Sequence, residues 1–338
     1  MNQQTFHPYI PLSPGAGKAF DNDAKCMRRF EAYPNSMQTH KYMPGPHEPQ
    51  PGDPKPKDNF VACTGAKTRH LLNFTMPNKQ LKSINSDGSE NFKTSFATLS
   101  IGGNDIGFSK ILRGCLLTLK SHCDESLANA TNELYCGSFF AKYNNVLTEM
   151  IEKRFHLTPD ADFAYRTWVY QTSYSQFFEE DTTQCNKASF LPFGPYATQE
   201  LRKKLNRLTQ SLNYVLQYWI DMRNVHWTLD KSMWGDKYFT AIDWVNVDWV
   251  YTGHRFCREG VNEPNYKDPD TWFYYLPIPR ALDGNCSEVE VGEAIEKFTW
   301  EPDEPGEYTW NLDDPSSLGD LGDKVNWVRT FHPNYTMT

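Results

Sequence analysis

Short apolar runs alternate with longer stretches of helical periodicity along this chain of 338 residues. Runs rich in β-branched, aromatic or small apolar side chains predict strands at residues 60–63, 96–103, 162–174 and 238–251. A glycine turn follows each of the first two runs. Strands that alternate with helices are typical of βαβ units, so the pattern predicts an α/β fold with a mainly parallel sheet covered on both faces.

Helical spacing is clearest in two stretches between these strands. Residues 137–155 carry apolar side chains at helical intervals, and a further helix is expected to begin soon after Gly65. Residues 198–222 place one apolar stripe opposite Arg, Lys, Asn and Gln, which predicts a helix laid against the sheet. The members of that stripe are Leu201, Leu205, Leu208, Leu212, Val215, Leu216 and Trp219.

Two segments interrupt the alternation. Residues 44–58 contain six prolines, which exclude a helix or a central strand and predict a surface loop. Residues 296–323 are acidic and rich in turn formers, and they are predicted to form a long surface loop. Residues 1–338 are expected to form a single domain that carries both loops.

Charge and cysteine spacing restrict the classes of function. The formal net charge of −8 disfavours a nucleic-acid partner, and no apolar run is long enough to span a bilayer. The chain has no Cys-x-x-Cys pair and no zinc-finger spacing, so neither a metal nor another cofactor is expected. The expected partner is a small-molecule substrate.

Cysteines and glycosylation sequons favour an extracellular protein. The eight cysteines are an even number, and Asn-x-Ser/Thr sequons begin at Asn73, Asn129, Asn285 and Asn334. Against this, the first residues, MNQQTFHPYIPL, show neither the basic nor the apolar part of a signal peptide. Either the protein is cytosolic or this is not its original N-terminus; the balance favours secretion.

The segment TLSIGGNDIGF, residues 98–108, ends a predicted strand in two glycines followed by Asn104 and Asp105. Taken alone, these residues predict a turn, because Gly, Asn and Asp tolerate left-handed backbone angles. In a parallel α/β sheet, however, binding sites form at the carboxyl ends of strands. A backbone N–H or the amide of Asn104 there can stabilise an oxyanion, and His332 is a candidate base from the C-terminal region.

Several segments, in order, resemble the blocks of SGNH (GDSL-type) hydrolases. VACTGAKT (61–68), TLSIGGNDIGF and RTFHPN (329–334) are similar to the second, third and last blocks of that family. The likeness extends over most of the chain and is strongest with the secreted lipases and esterases of actinomycetes and filamentous fungi. It implies a three-layer αβα sandwich with a mainly parallel central sheet, as in flavodoxin-like folds, and ester hydrolysis.

The resemblance also implies roles for individual residues. Gly65 and Asn104 correspond to oxyanion-hole donors, and His332 corresponds to the base. The nucleophile block, Gly-Asp-Ser, does not occur in the chain; one alignment puts Tyr9 at the serine position, and a short deletion puts Ser13 there. Arg329 stands where the family has an Asp, although some members orient the histidine through a backbone carbonyl.

Two hypotheses for the function remain open. The first is an ester hydrolase with a serine nucleophile, acting on lipid esters or on acetylated carbohydrate, and inactive in this form if the serine block is lost. The second is a non-catalytic secreted glycoprotein with a binding role.

His254, another histidine of the chain, is expected to be structural, beside a loop closed by Cys257.

Four disulfides are predicted for the secreted protein. The pairs are Cys26–Cys63, Cys115–Cys123 and Cys257–Cys286, with Cys136–Cys185 left by elimination. Cys26–Cys63 would tie the loop of the first block to the strand of the second block. Cys115–Cys123 and Cys257–Cys286 each close a short loop, and each would stabilise the fold by about 2–4 kcal/mol.

Overall fold

The computed structural model describes a parallel sheet together with the helices and loops next to it. Within those parts, the architecture can be given residue by residue. The described residues are 62, 65–72, 96–119, 121–150, 167–191, 193–234, 240–265 and 268–273.

Three parallel strands form the described sheet. They are β1 (Phe96–Leu99), β2 (Thr167–Thr172) and β3 (Thr240–Val245), in the order β1-β2-β3. Ala97 pairs with Val169, which in turn pairs with Ile242. Because all three strands run the same way, their carboxyl ends meet at one edge, and each connection must cross back over the sheet.

Helices make these crossovers. In the described ranges, three of them lie between β1 and β2, one long helix lies between β2 and β3, and a short helix precedes β1. In chain order, the helices are α1 (Thr68–Leu72), α2 (Phe108–Leu116), α3 (Cys123–Tyr135), α4 (Phe139–Thr148) and α5 (Gln199–Trp234). The predicted α/β class with a mainly parallel sheet is confirmed, and the arrangement agrees with the expected layered sandwich.

The predicted elements agree with most of this structure. The helices expected at residues 137–155 and 198–222 are α4 and α5. The strand expected at residues 238–251 is too long: β3 ends at Val245, and Asp248–Tyr251 form a turn of 3-10 helix instead. Helices α2 and α3 were not predicted. The second of these buries only Ala130 and Leu134, so its apolar pattern is too sparse to be recognised.

The core lies between the sheet and the apolar stripe of α5. Leu205, Leu212 and Leu216 are each at most 5% exposed, as the periodicity predicts, and Val169 and Ile242 of the strands are buried in the same core. The amide of Asn224 also donates to the carbonyl of Ile242 at 2.7 Å, which joins α5 to β3 directly. The predicted packing of this helix against the sheet is confirmed.

Beyond the carboxyl ends of β2 and β3, two long loops pack on one another. Their centre is a group of buried phenylalanines, called here the aromatic loop cluster: Phe178, Phe190, Phe256 and Phe273. Neighbouring ring centroids in this cluster lie 5.0 to 5.9 Å apart. The packing of these rings holds the two loops against each other at the edge of the sheet where sites form.

Arg202, which is fully buried, ties the first of these loops to α5. Its guanidinium donates to the carbonyls of Glu179 and Thr182 and, at 2.9 Å, to the Thr182 hydroxyl.

Arg202→Met is expected to lower the free energy of unfolding by about 2–3 kcal/mol, because these buried acceptors would lose their donor. Urea unfolding would measure the loss. The control, Lys204→Met at an exposed ion pair, should change little, and equal losses in both variants would contradict the prediction.

Two of the predicted disulfides are wrong and one is confirmed. Cys115–Cys123 forms as predicted. Cys185, however, pairs with Cys257, with Cα atoms 5.6 Å apart, so neither Cys136–Cys185 nor Cys257–Cys286 exists. The physical reason is burial: Cys185 and Cys257 are both fully buried beside the aromatic loop cluster, whereas Cys136 is an exposed free thiol just after α3. The pair Cys26–Cys63 lies outside the described residues.

Some predictions concern parts of the chain that the structure does not describe. The loops at residues 44–58 and 296–323 lie outside the described residues, as does most of the strand expected at residues 60–63. The single-domain organisation of residues 1–338 stays a prediction. Among the helices in the described ranges, none has the length and apolar character needed to cross a membrane.

Candidate active site

Two glycine turns, separated by more than thirty residues of sequence, meet at the carboxyl edge of the sheet. Gly65 has a left-handed backbone (φ 75°) directly before α1, and the Gly102–Gly107 turn follows β1. The side-chain amide of Asn104 donates to the carbonyl of Ala66 at 3.1 Å. The structure therefore brings together the two residues, Gly65 and Asn104, that the family resemblance assigns to the oxyanion hole.

Asp105 holds the two turns together. Its carboxylate accepts hydrogen bonds from the backbone N–H of Thr68 at 3.0 Å and from the Thr68 hydroxyl at 2.6 Å. Burial raises the pKa of Asp105, and the hydrogen bonds from Thr68 oppose that rise. The carboxylate satisfies an N–H at the start of α1 that has no partner within the helix, so it acts as a cap supplied by the neighbouring turn.

The two glycines of the second turn are required by close packing. A Cβ on Gly102, whose φ is 122°, would lie 3.0 Å from the ring of Phe139. A Cβ on Gly103 would lie 2.9 Å from the ring of Tyr174. Since aromatic rings enclose the backbone on both sides, side chains larger than hydrogen are excluded before Asn104.

Two of the four predicted catalytic and oxyanion-hole residues lie within the described residues. Asn104 and Gly65 are half-buried at the sheet edge, and their roles as donors to an oxyanion stay predictions. Ser13 and His332 both lie outside the described residues. In the described ranges, no group of three His, Cys, Asp or Glu side chains is placed to hold a metal ion.

His70, which sequence reasoning missed, supports the first turn from within α1. The side chain is 2% exposed, and its Nδ1 accepts the backbone N–H of Lys67 at 2.9 Å. Its Nε2 lies 3.0 Å from Nε of Arg69. Burial, with the positive charges of Arg69 and Lys67, lowers the pKa of His70 to about 4. In the neutral ring Nδ1 accepts the Lys67 N–H while Nε2 carries the hydrogen; protonation would place a second N–H on Nδ1, directed at the Lys67 N–H, so the neutral ring is the form that holds the turn.

The depressed pKa of His70 predicts a loss of stability in mild acid. As the pH falls below about 6.5, the unfolded chain binds a proton at this site and the folded chain does not, until the pH nears 4. Stability should therefore fall by about 2 kcal/mol between about pH 7 and pH 5, as measured by urea unfolding. In His70→Asn, Oδ1 can replace Nδ1 as the acceptor, and this loss of stability between about pH 7 and pH 5 should disappear. An unchanged pH dependence in the variant would contradict the assignment to His70.

The second histidine considered from the sequence, His254, lies in the loop after β3. Its ring stacks on Trp272 with centroids 3.5 Å apart, and Nδ1 lies 2.9 Å from the carbonyl oxygen of Asp270. The neighbouring Cys257 belongs to the disulfide with Cys185. These contacts fit the structural role expected for His254, which stays a prediction.

An apolar wall stands beside the second turn. Phe108 follows the turn directly, and its ring centroid lies 5.5 Å from that of Phe177. Phe177 in turn packs edge-on against Phe273 of the aromatic loop cluster at 5.3 Å. Phe108 and Phe177 are only partly buried, so they present an apolar surface next to the Asn104 turn.

Binding sites form at the carboxyl edge of a parallel α/β sheet, and this edge carries the Asn104 amide and the Gly65 turn, which are groups able to donate hydrogen bonds to an oxyanion. Two curated proteins that are similar to this chain are lipases. Lipase 1 of Streptomyces coelicolor is 26% identical over 247 residues, which cover 70% of this chain and 75% of the relative. A lipase of Streptomyces rimosus is 29% identical over 116 residues, or 34% and 35% of the two chains. The predicted resemblance to actinomycete lipases is confirmed, and no protein-family profile matches the chain.

Two solved structures are also similar to this chain. Phospholipase A1 from Streptomyces albidoflavus NA297 matches with a TM-score of 0.46 and 23% identity, over 78% of this chain and 82% of that one. The extracellular lipase from Streptomyces rimosus matches with a TM-score of 0.48 and 20% identity, over 78% and 83%.

Proposed function

We propose that this protein is an ester hydrolase of the lipase type. The observation that carries the proposal is the hydrogen bond from the Asn104 amide to the carbonyl of Ala66, which joins the Gly65 turn to the Asn104 turn at the carboxyl edge of the sheet. An amide group has two N–H donors, so Asn104 can hold Ala66 with one and donate to a substrate oxygen with the other.

The chemistry follows from these donors and the residues that the resemblance assigns. His332 takes the proton of the serine hydroxyl, and the serine oxygen attacks the ester carbonyl carbon. The tetrahedral oxyanion accepts hydrogen bonds from the N–H of Gly65 and the amide of Asn104. His332 then gives the proton to the departing alcohol, and a water molecule hydrolyses the acyl-enzyme by the same steps. Ser13 is the proposed nucleophile.

Lipid esters are the proposed substrates. The partly buried rings of Phe108 and Phe177 beside the Asn104 turn suit an acyl chain, because apolar surface there is removed from water when the chain binds. The curated relatives are named as lipases, which supports the same substrate class. Acetylated carbohydrate is the alternative substrate, and it would leave most of this apolar wall uncovered.

Secretion is proposed with this function. The disulfides Cys115–Cys123 and Cys185–Cys257 are expected to form in an oxidising compartment. Asn129, the one sequon asparagine among the described residues, is exposed on α3 and accessible to glycosylation. The sequons at Asn73, Asn285 and Asn334 lie outside the described residues.

The test combines hydrolysis with labelling of the nucleophile. The full chain, produced in a secreting host, is assayed on p-nitrophenyl butyrate, p-nitrophenyl decanoate, phosphatidylcholine vesicles and acetylated xylan. It is then treated with a fluorophosphonate probe, and the labelled serine is found by peptide mapping. We expect hydrolysis of the lipid-like esters and a label on Ser13.

Each other outcome contradicts a stated part of the proposal. A label on another serine would keep the ester hydrolase and overturn the assignment of Ser13. Activity on acetylated xylan alone would overturn the substrate class. If neither hydrolysis nor labelling occurs, the enzymatic proposal fails and the non-catalytic glycoprotein is favoured.

A further inference from the structure

Tyr174, two residues beyond β2, packs against the Asn104 turn and binds its backbone. Its hydroxyl oxygen accepts the backbone N–H of Gly103 at 2.9 Å, and Ser100 is a second hydrogen-bond partner of the same hydroxyl. The ring fills the space that a Cβ on Gly103 would need. The residue directly before Asn104 is therefore fixed both by a hydrogen bond and by packing.

Tyr174 is itself held from α5. The side chain of Asn213 accepts the backbone N–H of Tyr174 at 2.8 Å and donates to its carbonyl, also at 2.8 Å. The neighbouring helix residues Leu212 and Leu216 are buried in the core. Because both backbone groups of Tyr174 are bound to a helix anchored in the core, the backbone that carries its ring is held by α5 and not only by the turn.

We propose that Tyr174 is a positioning residue of the oxyanion hole, and that the connection Asn213–Tyr174–Gly103 holds Asn104 at the geometry needed for catalysis. The inference rests on the proposed function, since it assigns a role to a residue that acts through Asn104. Donors stabilise an oxyanion only within a narrow range of distances. Without the Tyr174 hydroxyl, the buried N–H of Gly103 would lose its acceptor, and the turn would shift to find another.

Tyr174 does not transfer a proton in this scheme. Burial raises the pKa of Tyr174 to about 12, so its hydroxyl stays neutral throughout the pH range of an ester assay. Loss of the hydroxyl should accordingly change the rate at every pH by the same factor. A uniform decrease distinguishes a positioning residue from a general acid or base, because loss of a general acid or base would change the shape of the pH–rate profile.

The test compares Tyr174→Phe with Tyr143→Phe in the full chain. Tyr143 is a matched control, because it is also buried and its hydroxyl donates to Oε1 of Gln171 at 3.4 Å, whereas the Gly103 N–H is bound by Tyr174. Tyr174→Phe should lower kcat by about 10- to 100-fold with KM changed by less than about twofold. Its affinity for a trifluoromethyl ketone, which forms an oxyanion adduct, should fall by a similar factor. Tyr143→Phe should keep kcat within about twofold.

Hydrogen exchange gives a readout that does not depend on activity. In Tyr174→Phe, the amides of residues 102–107 should exchange faster than in wild type, while Tyr143→Phe should leave them unchanged. The proposal is overturned if Tyr174→Phe retains wild-type kcat, if both variants lose activity equally, or if exchange in the turn is unaltered. If the wild-type chain hydrolyses no ester, the proposed function fails, and exchange alone decides whether Tyr174 holds the turn.

Discussion

Replacement of Asn104 by alanine is expected to lower kcat for ester hydrolysis by about 10²–10³-fold, with a much smaller change in KM. The amide is proposed to donate to the oxyanion, which exists in the transition state and not in the bound ester. Losing this donor therefore raises the barrier without weakening substrate binding to the same extent. Steady-state kinetics on p-nitrophenyl butyrate measure both constants.

The control for this prediction is Asn145→Ala on the exposed face of α4, which should leave kcat unchanged. Circular dichroism should report a folded protein for both variants, although Asn104→Ala also loses the hydrogen bond to Ala66. If Asn104→Ala is folded and hydrolyses the ester at the wild-type rate, Asn104 is not an oxyanion donor. A rise in KM with unchanged kcat would instead make it a substrate-binding residue.

Removal of the Cys185–Cys257 disulfide by alanine at both positions is expected to lower the free energy of unfolding by about 4 kcal/mol. The two cysteines are 72 residues apart, so the cross-link removes much conformational freedom from the unfolded chain. Both side chains are buried beside the aromatic loop cluster, where the reduced chain would also lose packing. Urea unfolding of the variant and of wild type measures the difference.

The matched comparison is the same double replacement at Cys115 and Cys123. Their separation is only 8 residues, so the expected loss is smaller, about 2.5 kcal/mol. Equal losses at the two sites would contradict the assignment of the larger effect to loop length. Non-reducing peptide mapping provides an independent check, and a peptide that links Cys257 to Cys286 would overturn the pairing.

Local patterns in the sequence predicted the features that depend on residues close together in the chain. The apolar stripe of α5 can be predicted from the sequence because residues such as Leu205 and Leu212 recur with the helical period. The short Cys115–Cys123 loop was predicted for the same reason of proximity. The glycines before Asn104 indicated a turn, because few other residues tolerate such backbone angles.

Contacts between distant segments could not be predicted in this way. The error over Cys185 arose because its partner, Cys257, is brought near only when the two loops fold together beyond β2 and β3. His70 was missed because a lone histidine in a short helix carries no sequence signal. Its significance comes from burial and from the Lys67 N–H that it accepts.

By itself, the sequence determined the α/β class, the helix against the sheet and the glycine turns, since each follows from periodicity or from backbone sterics within a few residues. The family resemblance also singled out Gly65 and Asn104 from their local motifs. Only the tertiary structure decided that the Asn104 amide reaches Ala66 and that Tyr174 holds Gly103. Such contacts form when the parallel strands align their carboxyl ends, and that alignment depends on the packing of the whole sheet.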